Sequence, residues 1–144
     1  MAVSTDLCTV FDVFHDGWIT ELIEGQDRLI ITVEIEYLAE CIQAEYRRFT
    51  VELSAPYECR FADRNTKQTS DLARIAALEL DILSADVVDK VVDVHCTYDI
   101  LPITAQHGGT LRLSAAGLRI LDQGRREWSL AELIELARRY WNQR

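Results

Sequence analysis

The chain has 144 residues, with fifteen lysines and arginines against twenty-four aspartates and glutamates, a formal net charge of −9 and a hydrophobic fraction of 49%. That length suits one domain able to bury a core unaided, and this balance of apolar and charged residues excludes a disordered chain or a coiled coil. No apolar run reaches the roughly 20 residues of a membrane-spanning helix, and so acidic a body repels phosphate backbones, so neither membrane nor nucleic acid is an expected partner.

Met1 to Asp6 carries no basic segment ahead of an apolar one, so no signal peptide is expected and the chain reads as cytoplasmic. His15-Asp16-Gly17 reads as a turn, with Phe14 and Trp18 anchoring its flanks and Gly17 supplying a positive φ. Trp18 to Glu24 then forms a strand, Gly25-Gln26-Asp27 a turn, and Arg28 to Leu38 the partner strand, in which Leu29, Ile31, Val33, Ile35 and Tyr37 alternate with Ile30, Thr32, Glu34, Glu36 and Leu38. Phe49 to Ala55 alternates in the same way and Pro56 ends it. Tyr57 to Ala62 reads as an edge strand and Asp63 to Ser70 as a polar loop.

Asp71 to Leu83 supports two readings. Leu72, Ala73, Ile75, Ala76 and Leu80 fit a helix, while Leu78, Leu80 and Ile82 around Glu79 and Asp81 fit a strand, which the second half favours. Val88 to Asp99 alternates again, Pro102 and Gly108-Gly109 bound a loop, and Leu111–Leu113 with Leu118–Leu121 read as a hairpin around Ser114-Ala115-Ala116-Gly117. Ser129 with Glu132 forms a capping box that opens a terminal helix. Leu130, Leu133, Ile134, Leu136, Ala137, Tyr140 and Trp141 make its apolar stripe, with both aromatics expected to dock on the sheet. The expected fold is therefore α+β and mainly antiparallel: a twisted sheet or partly closed barrel of about seven strands, with a C-terminal amphipathic helix packed on it, in a single domain over residues 1–144.

Charge is unevenly spread. Residues 1–46 hold ten acids and one base, Arg28, whereas Arg112 to the end holds seven arginines and four acids. With the apolar side of each strand turned inward, Glu34, Glu36, Glu52, Glu79, Asp81 and Asp93 point outward and would form an acidic array on one sheet face. Like charges on neighbouring strands oppose folding. The array needs solvent, interleaved arginines such as Arg112 and Arg119, a cation, or a basic partner.

Signatures of chemistry are few. Cys8, Cys41, Cys59 and Cys96 show no metal-binding spacing and are expected as reduced, buried thiols without a bridge. His95 and Cys96 are neighbours, but on a strand they face opposite ways and cannot act as base and nucleophile. The common hydrolase, protease and nucleotide-binding motifs are missing. No cofactor, metal or catalytic residue is expected, and enzymatic activity is left open. A site formed by His15, Asp16 and His95 in a small-molecule-binding or metal-dependent hydrolytic barrel stays as the alternative to protein binding. An assembly subunit with an apolar strip around Ile30 and Leu38 is a third reading, and the sequence does not set an oligomeric state.

Phe14-His15-Asp16-Gly17, the following hairpin, the Gly109-Thr110-Leu111-Arg112 strand start and the terminal Tyr140-Trp141 resemble a group of small bacterial proteins with an N-terminal Phe-His-Asp-Ala/Gly segment. Several of these are grouped with the immunity proteins of polymorphic toxin systems. The resemblance implies a cytosolic, non-catalytic protein that binds another protein such as a toxin, and it supplies no catalytic residues.

Overall fold

The computed structural model describes residues 3–64, 67–99 and 106–142. The elements in chain order are α1 (Val3–Val13), β1 (Trp18–Gly25), β2 (Arg28–Glu34), α2 (Glu36–Ala39), β3 (Arg48–Ser54), β4 (Glu58–Asp63), β5 (Gln68–Thr69), α3 (Leu72–Ala77), β6 (Asp81–Val88), β7 (Val91–Asp99), β8 (Gln106–Ser114), β9 (Gly117–Asp122), β10 (Glu127–Trp128) and α4 (Leu130–Asn142). The strands make one open, twisted sheet in the order β10-β9-β3-β2-β1-β6-β7-β8-β4-β5, and all its pairings are antiparallel. The sheet has ten strands rather than seven, in part because β5 and β10 are two-residue edge pieces, too short to leave a period in the sequence.

α1 is the element the strand reading passes over. Leu7, Val10, Phe11 and Phe14 recur at helical spacing and are fully buried, each contributing on the order of 2 kcal/mol by leaving water. The helix packs on β6 and β7 and touches β9. Its Asp12 carboxylate accepts the Ala85 N–H at 2.9 Å, next to the register shift between Ile82 and Ser84.

The β1–β2 hairpin forms as its sequence predicts, with Asp27 in the left-handed region at φ 58°. β2 ends at Glu34, however, and the expected alternation to Leu38 is overturned. Ile35, Leu38 and Ala39 are buried at helical spacing, so a strand's period of two conceals the short turn of α2. Asp71 to Leu83 divides into α3, whose Asp71 carboxylate caps the Arg74 N–H at 3.2 Å, and the start of β6. β6 and β7 form a hairpin through Asp89 and Lys90, both at positive φ.

The expected hairpin of 111–113 with 118–121 does not exist. β8 lies between β7 and β4, and β9 lies between β3 and β10. Ala115-Ala116 lacks the residues that tolerate the tight hairpin turn. The chain instead bends there and stays beside β3, with the Ala116 N–H donating to Ser54 O at 3.0 Å. β3–β4 and β8–β9 thus form one bent two-stranded ribbon that borders both halves of the sheet.

Gly108-Gly109 lies inside β8 rather than in a loop, and Pro102 falls outside the described residues. A Cβ on Gly109 would sit 2.5 Å from Ala62 O and from the Phe61 ring, so only glycine lets β4 approach so closely. α4 opens on the predicted capping box: Ser129 N–H donates to Glu132 Oε1 at 2.9 Å, and Glu132 N–H to Ser129 Oγ at 3.1 Å. Leu133, Leu136 and Ala137 are buried and Ile134 is exposed. The terminal aromatics dock on α2 and on the turn after α1 rather than on the sheet: Tyr140 lies 4.8 Å from Tyr37, and Trp141 stacks on His15 at 5.5 Å. The strip expected at Ile30 and Leu38 is not present, because Leu38 is fully buried and Ile30 half-buried.

Candidate functional site

The face of the sheet turned away from α1 carries the polar residues of every strand, and its register decides which charges meet. The six predicted acids do not form one array. Glu52 on β3 is opposite Arg119 on β9 and is 4% exposed. Its carboxylate receives Arg28 at 3.1 Å, Arg119 at 3.1 Å and Arg125 at 3.4 Å. Asp93 on β7 is opposite Arg112 on β8 and is held by both Nε, at 2.9 Å, and a terminal nitrogen, at 3.2 Å. Glu36 is on α2, paired with Arg47 at 3.3 Å. The arginines drawn in by cross-strand neighbours have buried Glu52 and Asp93, so neither is an open contact surface. Arg112 and Arg119 are the interleaved cations the sequence suggests; Arg28 and Arg125 join them through register and turn geometry that the sequence does not display.

Glu34, Glu79 and Asp81 behave differently, because the structure gathers them at one tryptophan. Trp18 at the start of β1 is paired with Glu34 on β2 and with Asp81 on β6. Trp18, Glu79 and Asp81 line a shallow depression of about 340 Å³. Trp18 is 36% exposed, so it is not the buried flank anchor its sequence context suggests. None of the three carboxylates has an ion-pair or hydrogen-bond partner among the described residues; Glu34 stands opposite Arg48 in register without pairing with it. Partial burial, followed by the charges of Asp99, Asp16 and Glu79, pushes the Asp81 carboxyl above its usual range. Trp18 is the residue the strand reading undervalues. Its neighbours are sixteen and sixty-three positions away in sequence, and only the sheet order brings them beside it.

His15-Asp16-Gly17 is a turn that joins three elements. The Asp16 N–H donates to Ile82 O at 2.8 Å, and Ile82 N–H donates back to Gly17 O at 2.8 Å. The left-handed residue is Asp16, at φ 71°, and not Gly17. Gly17 is required for space: a Cβ there would meet Glu34 O, Ile35 Cβ and Phe14 O, each at 3.0 Å. His15 Nδ1 lies 2.7 Å from Asp12 O, its ring stacks on Trp141, and its carbonyl accepts the Tyr37 hydroxyl at 2.9 Å. His95 is separately engaged by Asp86 at 2.8 Å. Among the described residues no group of three or more His, Cys, Asp or Glu side chains is placed to hold a metal ion.

The four cysteines are free thiols. Only Cys59 and Cys96 are buried as expected; Cys41 is exposed and Cys8 intermediate. Cys96 faces the core while His95 faces outward, as strand geometry requires, and burial pushes the Cys96 thiol up to about 12. No helix among the described residues is long and apolar enough to cross a membrane. The chain matches no protein-family model, no curated protein and no solved structure.

Proposed function

We propose that the chain is a non-enzymatic protein-binding module, immunity-like in the sense that it docks on and blocks a basic partner protein. The docking point is the Trp18 end of the outer sheet face, where Glu34, Glu79 and Asp81 surround an exposed indole. An indole face with carboxylates around it takes the guanidinium or ammonium of a partner side chain by cation–π attraction and charge pairing together. Tryptophan is also the side chain most often found at the energetic centre of an interface. The observation that carries the reading is the contrast in pairing: Glu52, Asp93 and Glu36 have arginine partners within the chain, and the acids at Trp18 have none among the described residues.

The test uses a defined probe. A short peptide of alternating arginine and glycine is titrated against the chain, with its glutamate counterpart as control. Binding is followed by tryptophan fluorescence, with Trp18→Phe identifying the responding residue. The arginine peptide is expected to perturb Trp18, to weaken several-fold as salt rises through the screening range, and to lose binding to the combined Glu34→Lys, Glu79→Lys and Asp81→Lys variant. Equal binding to that variant, or equal binding of the glutamate peptide, overturns the proposal.

A further inference from the structure

A cleft of different chemistry lies on the opposite side of β7 from the Trp18 surface. A cleft of about 410 Å³ opens between β4, β5, the end of α3 and β7. That volume falls in the range of small-molecule sites. Its floor is apolar: Phe61 meets the Tyr98 ring edge-on, with centroids 5.8 Å apart, and Leu78 lies beside them. Its rim carries Lys67 and Arg74.

Like Arg48, Lys90 and Arg139, those two cations have no carboxylate partner among the described residues, and they differ in standing together on one cleft. Arg28, Arg47, Arg60, Arg112, Arg119, Arg125, Arg126 and Arg138 each meet a carboxylate. In a chain with twenty-four acids and fifteen lysines and arginines, carboxylates are in surplus, yet the Lys67 ammonium and the Arg74 guanidinium have no partner among the described residues. Asp63, the one acid lining the cleft, accepts the backbone N–H of Lys67 at 3.1 Å and holds the turn between β4 and β5. Two cations against one anion leave the mouth with a single net positive charge over an aromatic floor.

We infer that this cleft binds a small organic monoanion with a flat apolar body, an aryl carboxylate in class, its ring on Phe61, Leu78 and Tyr98 and its carboxylate between Lys67 and Arg74. The arginine fork suits a planar carboxylate, and one net charge at the mouth matches one charge on the ligand. The site is independent of the Trp18 surface, which recognises the opposite charge.

The probe is naphthalene-2-carboxylate, compared with the uncharged naphthalene-2-carboxamide of the same shape. Both are titrated calorimetrically, and amide shifts in the nuclear magnetic resonance spectrum locate the contact. The carboxylate is expected to saturate one site, shifting Phe61, Leu78 and Tyr98, and to bind about tenfold tighter than the carboxamide. Exchanging Lys67→Gln and Arg74→Gln together removes that difference while leaving carboxamide binding in place. Because both side chains are exposed and neither has an ion-pair or hydrogen-bond partner among the described residues, these variants are expected to keep the fold, and unchanged thermal unfolding verifies it. A wild-type chain that shows no saturable binding of the carboxylate, binds both probes equally, or shifts at Trp18 instead of the cleft overturns the inference.

Discussion

Two tryptophans of this protein carry the same ingredients at different stages of completion. Trp128 is 8% exposed, its indole N–H donates to the buried Asp122 carboxylate at 2.9 Å, and the Arg126 guanidinium lies over its ring at 4.2 Å while pairing with Glu132 at 2.7 Å. An indole, a cation on its face and carboxylates around both form a closed set. Trp18 has the indole and the carboxylates, Glu34, Glu79 and Asp81, and lacks the cation among the described residues. The chain therefore contains its own example of what would complete the Trp18 surface. The difference between the two separates a constellation that holds α4 to the sheet from one that the proposed docking would complete.

The largest test of that contrast is truncation. Trp128→Ala removes a buried ring and takes the donor from Asp122 Oδ2, and is expected to cost about 3–5 kcal/mol, whereas Trp18→Ala costs less than about 1 kcal/mol as a surface change. Chemical denaturation measures both, and equal losses would erase the distinction. A smaller effect comes from the cation itself. Arg126→Ala, with the guanidinium half exposed, is expected to lose about 0.5–1 kcal/mol, and a loss that persists undiminished in the background of Trp128→Leu would assign the contact to the salt bridge with Glu132 rather than to the ring.

The subtlest test is pH. Asp81, with its folded pKa raised by burial and like charges, binds protons more tightly folded than unfolded, so its charge opposes folding above the raised value and is neutral below the ordinary carboxylate range. Asp81→Asn should thus raise the melting temperature at neutral pH, with the gain vanishing in acid. Glu132 runs the other way. The Ser129 backbone N–H, aided by Arg126, holds its carboxyl below the usual range. Its contribution is present above the ordinary carboxylate pKa and is lost as pH falls through the lowered one. Glu132→Gln should accordingly destabilise at neutral pH and converge on wild type in acid. Matching pH profiles for the two variants would show that both acids sit in equivalent environments.

The mainly antiparallel sheet, the first hairpin, the capping box of α4 and the turn at His15-Asp16-Gly17 were legible because each depends on neighbours within a few residues. α1 went unread, although Leu7, Val10, Phe11 and Phe14 recur at helical spacing directly ahead of the His15-Asp16-Gly17 turn. What sequence alone could not supply was register. Alternation correctly turns Glu52 and Asp93 away from the core, yet it does not show that Arg119 and Arg112 stand directly across from them. The same limit hides the Trp18 surface, assembled from three strands, and conceals the bend at Ala115-Ala116 behind the look of a hairpin.

That bent ribbon also bears on how the molecule assembles. Residues 48–63 run beside 106–122, and each of these stretches is shared by the two ends of the sheet order. Neither end can come apart without exposing backbone belonging to the other, so melting should proceed in one concerted step. The local hairpins β1–β2 and β6–β7 close short loops early. The ribbon, which joins distant stretches of chain, should be the slow closing event that sets the folding rate.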